Sequence, residues 1–336
     1  MRTTAELEER LARPSPGLVD DLGRLDGDIM ILGAGGKLGP SLVRLALKAT
    51  GGDRRIIAVS RFSEPGLAQA LQEEGATVVA ADVADERALR ELPDAPNVVF
   101  LVGAKFGTSS GQEHAAWFTN TYLPGRVADR FAGSRIAALS TGNVYPLVPV
   151  TSGGSTEGSP TGPVGDYAMS CLGRERVLTY FAAKNGTPVA LLRLNYAVEL
   201  RYGVLVDLAQ KVLAGEPVDL TTGQVNVVWQ GYANEVALRS LLLAGVPPYV
   251  LNVTGPELIS VRQAAVALGE ALGKEPVFTG EEAPTALLSN ASRCHRLFGY
   301  PELTPAELIE HTARWVADGG PLLGKPTKFE RRDGRF

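Results

Sequence analysis

Short, continuous apolar runs alternate with longer segments whose apolar residues recur at helical spacing. The first run, Ile29-Met30-Ile31-Leu32 after Asp28, stops at a glycine cluster, which is the pattern of a strand buried on both faces. The segment after it puts Leu38, Leu42, Leu45 and Ala46 on one side of a helix. Strand-like runs recur at Arg55–Val59, Thr77–Ala81, Asn97–Val102, Arg135–Leu139 and Pro188–Leu192, with helix-length segments between them. That alternation predicts an α/β fold with a Rossmann-type, doubly wound parallel sheet.

Beyond Arg193 the pattern loosens. It predicts a helix over Val204–Leu213, strands at Gln224–Trp229 and Tyr249–Val253, and helices beginning at Ser260 and Pro305. The expected organisation is a dinucleotide-binding Rossmann domain over 28–195, with a returning segment at 226–256. A smaller C-terminal substrate-binding lobe would use 196–225 and 257–336. Residues 1–27 read as a polar, helix-prone lead-in, Ala5–Leu11 and Gly17–Leu25, broken at Pro14-Ser15-Pro16 and expected to be a peripheral extension. Thr151–Gly165 is a Gly/Ser/Thr/Pro loop suited to folding over a ligand. Gly324–Phe336, with Lys325, Lys328, Arg331 and Arg332, reads as a tail that is mobile or packed along a neighbouring subunit.

Composition narrows the partners. The 336 residues are 45% apolar and 21% charged, enough for a large core. The net charge of −4 comes with scattered basic residues, so neither nucleic acid nor an anionic membrane is expected as a partner. No apolar stretch reaches the roughly 18–20 residues of a membrane span, and a cytoplasmic protein with a small-molecule partner is expected. Cys171 and Cys294 follow no zinc or disulfide spacing, and with only His114, His295 and His311 besides, no metal site is expected.

The chemistry-bearing motif is Gly33-Ala34-Gly35-Gly36-Lys37-Leu38-Gly39, placed between the first strand and the first helix. Backbone amides at a helix N-terminus hold a pyrophosphate, and Gly33, Gly36 and Gly39 let the phosphates come close. Cofactor choice is read at the end of the second strand, where Ser60 and Arg61 stand. Arginine pairs with a 2′-phosphate and no carboxylate is apparent there, so NADP is favoured over NAD; a solvated surface arginine is the alternative.

Several segments, taken in order, resemble the extended short-chain dehydrogenase/reductase family, which includes NAD(P)-dependent sugar epimerases and dehydratases. They are the glycine loop, Asp82-Val83, Gly103-Ala104, Asn120, Ser140-Thr141-Gly142-Asn143-Val144-Tyr145, Tyr167 to Glu175, Arg193-Leu194-Asn195 and Leu251 to Gly255. The resemblance implies that Asp82 hydrogen-bonds the adenine, that Val83, Gly103, Ala104, Asn120 and Asn195 lie along the cofactor, that Thr141 binds the reacting oxygen and that Tyr167 moves a proton. It implies an oxidoreductase or epimerase acting on a sugar, sugar acid or nucleotide sugar, and a homodimer is common in that family.

One departure matters. The family's tyrosine is followed four residues later by a lysine, and here that place is Cys171. The lysine holds the nicotinamide ribose and lowers the phenol pKa. Three readings stay open: Lys105 or Arg174 supplies the cation, the oxidised nicotinamide's own charge suffices, or the chain binds dinucleotide without turnover. A nucleophilic role for Cys171 has no histidine near it in sequence. Asn143, Tyr196 and Arg201 are the candidate substrate contacts, Arg201 for an anionic group or else a surface ion pair. Asn226, Trp229, Gln230 and Tyr202 are polar and aromatic residues suited to a sugar, with Trp229 and Tyr202 equally readable as core.

Overall fold

The computed structural model describes residues 1–104 and 113–334. Seven strands form the central sheet: β1 (Ile29–Leu32), β2 (Ile56–Ser60), β3 (Thr77–Ala80), β4 (Asn97–Phe100), β5 (Arg135–Thr141), β6 (Val189–Leu194) and β7 (Tyr249–Val253). Their order is β7-β6-β5-β4-β1-β2-β3, and every pairing is parallel. Each strand run foreseen from the apolar pattern is present within a residue or two. Ile29 to Leu32 are wholly buried because helices cover both faces. The chain crosses over between β1 and β4, so the loops after these two strands diverge and leave a crevice at their carboxyl ends.

The helices used below are α1 (Thr4–Leu11), α2 (Pro16–Gly23), α3 (Gly39–Thr50), α4 (Gly165–Asn185), α5 (Val204–Ala214), α6 (Gln230–Arg239), α7 (Val261–Leu272) and α8 (Pro305–Ala317). Late in the chain, β7 extends the sheet beside β6. The strand expected over Gln224–Trp229 is two short pieces, Gln224–Val225 and Val228–Trp229, after which α6 begins immediately.

Three expectations are corrected. Residues 1–27 are not peripheral: Leu7, Leu11, Leu18 and Leu22 are at most 1% exposed and belong to the same core as β1, α3 and α6. Thr3 and Ser15 cap the two helices by accepting from the Glu6 and Leu18 amides, and Pro16 occupies a first-turn position where no amide is needed. Glu8 pairs with Arg44 at 2.9 Å and with Arg201 at 2.6 Å, and Asp21 pairs with Arg239 at 2.7 Å. In α1 a polar sequence concealed a narrow apolar stripe of Leu7 and Leu11.

The loop Thr151–Gly165 is tied down rather than free to close. The Glu157 carboxylate accepts from the Asn252 amide in β7, and Ser155 exchanges backbone hydrogen bonds with the Leu288–Asn290 stretch. The segment from Gly324 to Gly334 packs on its own chain. Thr327 and Phe329 are 3% and 1% exposed, and Arg332 donates to the Thr285 carbonyl at 2.6 Å.

Because Leu7 fills the core from α1, Leu7→Ala is expected to lower unfolding free energy by about 2–5 kcal/mol, as buried leucine truncations do. Urea denaturation measures it, and a loss under 0.5 kcal/mol, the usual range for surface changes, would mean α1 is dispensable.

Candidate active site

The glycine loop joins β1 to α3 at the crevice. The amides of Gly33 and Ala34 both donate to the Val59 carbonyl, at 2.9 and 3.1 Å, which fixes the exit of β1 against β2. Gly33 has φ +92°, which few side chains tolerate. A Cβ on Gly39 would stand 2.3 Å from the Ala34 carbonyl oxygen, so the head of α3 packs on the backbone of the glycine loop. A Cβ on Gly36 would meet only the Gly33 carbonyl oxygen, at 3.2 Å. The bare Gly36 is therefore explained by something approaching from the crevice more than by the fold, and the loop fits a pyrophosphate.

Ser60 and Arg61 end β2. Arg61 is exposed, and its guanidinium is 3.9 Å from the Asp82 carboxylate. Asp82 also accepts from the Ala84 amide at 2.9 Å, which turns the chain beside Val83. The position read as free of carboxylates thus has one, and the electrostatic argument for NADP loses its second half. Gly103 and Ala104 follow β4, and Lys105 lies outside the described residues.

Asn120, in a π-helical turn over Phe118–Tyr122, is fully buried and binds protein on every side. Its Oδ1 accepts from the Ala104 amide at 2.9 Å and from Arg174 Nη2 at 2.8 Å, and its Nδ2 donates to the Ser170 hydroxyl at 3.0 Å. It positions the Ala104 loop and α4 rather than facing a ligand. Arg174 also donates to the Leu139 carbonyl at 2.5 Å and is 5% exposed. A Cβ on Gly103 would lie 2.8 Å from Arg174 Nη2, so this glycine makes room for the guanidinium as well as for a cofactor.

Tyr167, Cys171 and Arg174 stand four and three residues apart on α4, hence on one face. Burial and the neighbouring Cys171 push the Tyr167 phenol well above its ordinary pKa, while the charge of Arg174 and a hydrogen bond from Thr141 pull the other way. Thr141, at the end of β5, accepts from the Asn143 amide at 3.2 Å and from Asn143 Nδ2 at 3.1 Å. With two donors on its oxygen, the Thr141 proton is left to point at the phenol. Cys171 is 2% exposed beside Val144 and Tyr145, and burial pushes its thiol up. It is packing, not a nucleophile.

A cavity of 170 Å³ opens between these residues, lined by Lys37 and Leu38 of the glycine loop, Thr141, Asn143, Tyr167, Asn195, Tyr196 and Tyr202. Asn195 Nδ2 is buried with no hydrogen-bond partner among the described residues, a donor suited to a ligand oxygen. Lys37 donates to the Ala197 carbonyl at 2.8 Å and lies 3.6 Å from the centre of the Tyr202 ring. Arg201 does not line this cavity, since Glu199 and Glu8 take its guanidinium at 3.1 and 2.6 Å. Trp229 is core at 1% exposure, Gln230 donates to the Ser41 hydroxyl, and Asn226 holds the Glu257 carbonyl and the Ser289 amide.

A network that sequence reading missed lies under the site. Arg193 Nη2 and Nε donate to Glu175 at 2.7 and 3.0 Å, Nη1 donates to the Tyr145 hydroxyl at 2.7 Å, and that hydroxyl donates to Asn252 Oδ1 at 2.8 Å. Ser140 completes Glu175 at 2.6 Å. The one available signal was a pair of opposite charges in otherwise apolar surroundings.

A sequence model of one family matches residues 29–227, more than half of the chain. The chain belongs to the NAD dependent epimerase/dehydratase family. The epimerase/dehydratase fold extends over most of the chain. UDP-glucuronic acid 4-epimerase from Bacillus cereus, crystallised with NAD, is 16% identical, with 86% of this chain and 96% of that one covered and a TM-score of 0.71. UDP-glucose 4-epimerase from Thermotoga maritima is 19% identical over 86% and 98%, with a TM-score of 0.68. dTDP-glucose 4,6-dehydratase from Bacillus anthracis is 15% identical over 87% and 96%, with a TM-score of 0.72. Among curated proteins no sequence matches the chain.

The two glycine contacts separate binding from folding. Gly36→Val is expected to weaken NAD binding by at least about tenfold with thermal stability nearly unchanged, because its Cβ meets little of the protein. Gly39→Ala is expected to fail in folding or lose several kcal/mol, as overpacking against backbone does. Equal loss of stability in both variants, read by calorimetry, would contradict the assignment.

Proposed function

We propose that this chain transfers a hydride between a nicotinamide dinucleotide and a carbinol or carbonyl carbon of a sugar-like substrate, with Tyr167 moving the hydroxyl proton. The observation that carries the reading is the convergence of Tyr167, Thr141, Asn143 and Asn195 with the glycine loop on one cavity. Gly33, Gly35, Gly36 and Gly39 with the head of α3 would hold the pyrophosphate, and Asp82 and Val83 would meet the adenosine end. The dinucleotide, when bound, supplies the ring that accepts or returns the hydride.

The protein's part is proton handling and placement. In oxidation, the Tyr167 oxygen takes the substrate hydroxyl proton, and the Thr141 hydroxyl donates to the oxyanion that develops. The Asn143 donors keep the Thr141 proton turned into the cleft. Arg174 acts in place of the missing lysine by charge alone, because Asn120 and Leu139 occupy its donors. The structural neighbours crystallised with NAD support that cofactor. Arg61 and Asp82 side by side suit acceptance of either dinucleotide, Arg61 for a 2′-phosphate and Asp82 for ribose or adenine donors.

A second reading, dinucleotide binding without turnover, is favoured by one observation: burial and the Cys171 thiol one turn away hold the phenol in its neutral form. The pH profile of kcat/KM separates the two. A raised phenol pKa means that the base form appears only as pH climbs, so oxidation is expected to quicken through the alkaline range. Reduction, which uses the neutral phenol, stays flat until then. Cys171→Lys puts a cation one turn from the phenol and is expected to move the oxidation profile to lower pH by about one unit. Tyr167→Phe is expected to cut kcat at least about 100-fold while NAD still binds; unchanged turnover would remove Tyr167 from the mechanism.

Arg61→Ala is expected to weaken NADP about tenfold more than NAD, the loss of one charge-assisted hydrogen-bonding partner. Fluorescence titration with both dinucleotides reads this, and equal effects would deny Arg61 any contact with a 2′-phosphate.

A further inference from the structure

We infer that the segment Thr327–Gly334 is a fixed wall of the substrate cleft, which admits a free sugar or sugar acid of monosaccharide size and shuts out a nucleotide-linked one. This rests on the hydride-transfer reading for its chemistry and goes beyond it in naming the substrate class.

The segment crosses from the substrate lobe to the helix that carries Tyr167. At one end the amide and hydroxyl of Thr327 donate to Asp207 in α5, at 2.7 and 2.5 Å, and Thr327 lines the 170 Å³ cavity opposite Tyr167. Lys328 has φ +55°, a left-handed kink that turns the next side chain, Phe329, inward to 1% exposure in the main core. Glu330 pairs with Lys211 at 2.5 Å, and Arg332 donates to Thr221 and twice to Thr285. At the other end Gly334 packs on Val164 and Gly165, so closely that a Cβ on Gly334 would lie 2.5 Å from the Val164 carbonyl oxygen. Tyr167 is two residues further on.

Asn143 and Tyr196 line both the 170 Å³ cavity and the space next to it, where Phe329, Arg331, Arg332 and Gly334 leave a void of only 30 Å³. A cavity of 890 Å³ borders the same segment at Lys328, Glu330 and Arg331 and shares none of its described lining residues with the catalytic cleft. Drug-sized ligands occupy sites of roughly 300–1,000 Å³, well above the 170 Å³ beside Tyr167. Among the described residues lining that cleft Lys37 is the one cation, and a sugar carboxylate would share its ammonium with the Ala197 carbonyl and the Tyr202 ring. The wall is fixed rather than hinged, because opening it exposes Phe329 and breaks the Asp207 and Thr285 contacts together.

The test uses the unaltered chain with NAD⁺. Calorimetric titration with D-glucuronate, D-glucose, UDP-glucuronate and UDP-glucose is expected to show saturable binding of a free sugar or sugar acid and none of either UDP-sugar. Micromolar binding of a UDP-sugar overturns the inference, and failure of both free compounds to bind at high concentration overturns the substrate class. Trypsin cleavage after Lys328, Arg331 or Arg332 is expected to be slow and unaltered by UDP-sugars; acceleration by them would make the segment a gate and overturn the fixed wall. Phe329→Ala, if it folds, is expected to bind UDP-glucuronate more tightly than the unaltered chain does. Appearance of NADH is followed in the same samples. A free sugar that binds without NADH formation counts against hydride transfer and leaves the wall supported, so the two failures are distinct.

Discussion

Burying a guanidinium costs several kcal/mol unless every donor finds an acceptor, and this fold buries two of them where α4 meets the sheet. Arg193 is satisfied by Glu175 and Tyr145, Arg174 by Asn120 and the Leu139 carbonyl. Because those acceptors belong to the β5 exit, the turn at Phe118–Tyr122 and α4 itself, the helix has one seating that leaves no charge stranded. Tyr167 inherits its position from that seating. The same geometry requires Gly103, whose missing side chain is occupied by the Arg174 head group.

The two arginines differ in what they do for the phenol. Arg193 is neutralised by Glu175 at hydrogen-bonding distance, so its influence ends there. Arg174 is held by neutral amide and carbonyl oxygens, which leave its charge uncancelled, and it opposes the effect of burial on Tyr167. A lysine at position 171 would have done so at contact range. In its place stands a buried thiol, and the phenol's pKa is raised first by burial and then by that thiol, with the more distant Arg174 charge and the Thr141 hydroxyl opposing them.

The sheet was legible in the sequence because a strand covered on both faces must be continuously apolar, and Ile29–Leu32 or Ile56–Val59 have no other stable reading. The glycine loop was legible for a related reason: Gly33 and Gly39 are dictated by local backbone geometry. Tyr167 and Thr141 were singled out by resemblance, and both line the same cavity. The rest depended on contacts between residues far apart in the chain. Arg201 was left between a substrate anion and an ion pair because neither Glu199 nor Glu8 could be foreseen as its partner. Arg61 lacked a visible carboxylate because Asp82 arrives from the next strand. The segment around Phe329 read as a tail, mobile or packed along a neighbouring subunit, since a single aromatic among lysines and arginines carries no periodicity.

The N-terminal helices have a consequence for how the chain is made. Leu7 and Leu11 are covered by α3 and α6, and Arg10 meets Glu302 at 2.9 Å. An emerging polypeptide therefore carries α1 with part of its apolar stripe wet until α6, more than two hundred positions later, has left the ribosome. Such long-range closure is slow, and a chaperone acting on this protein during synthesis would find its earliest binding site in the segment that finishes last.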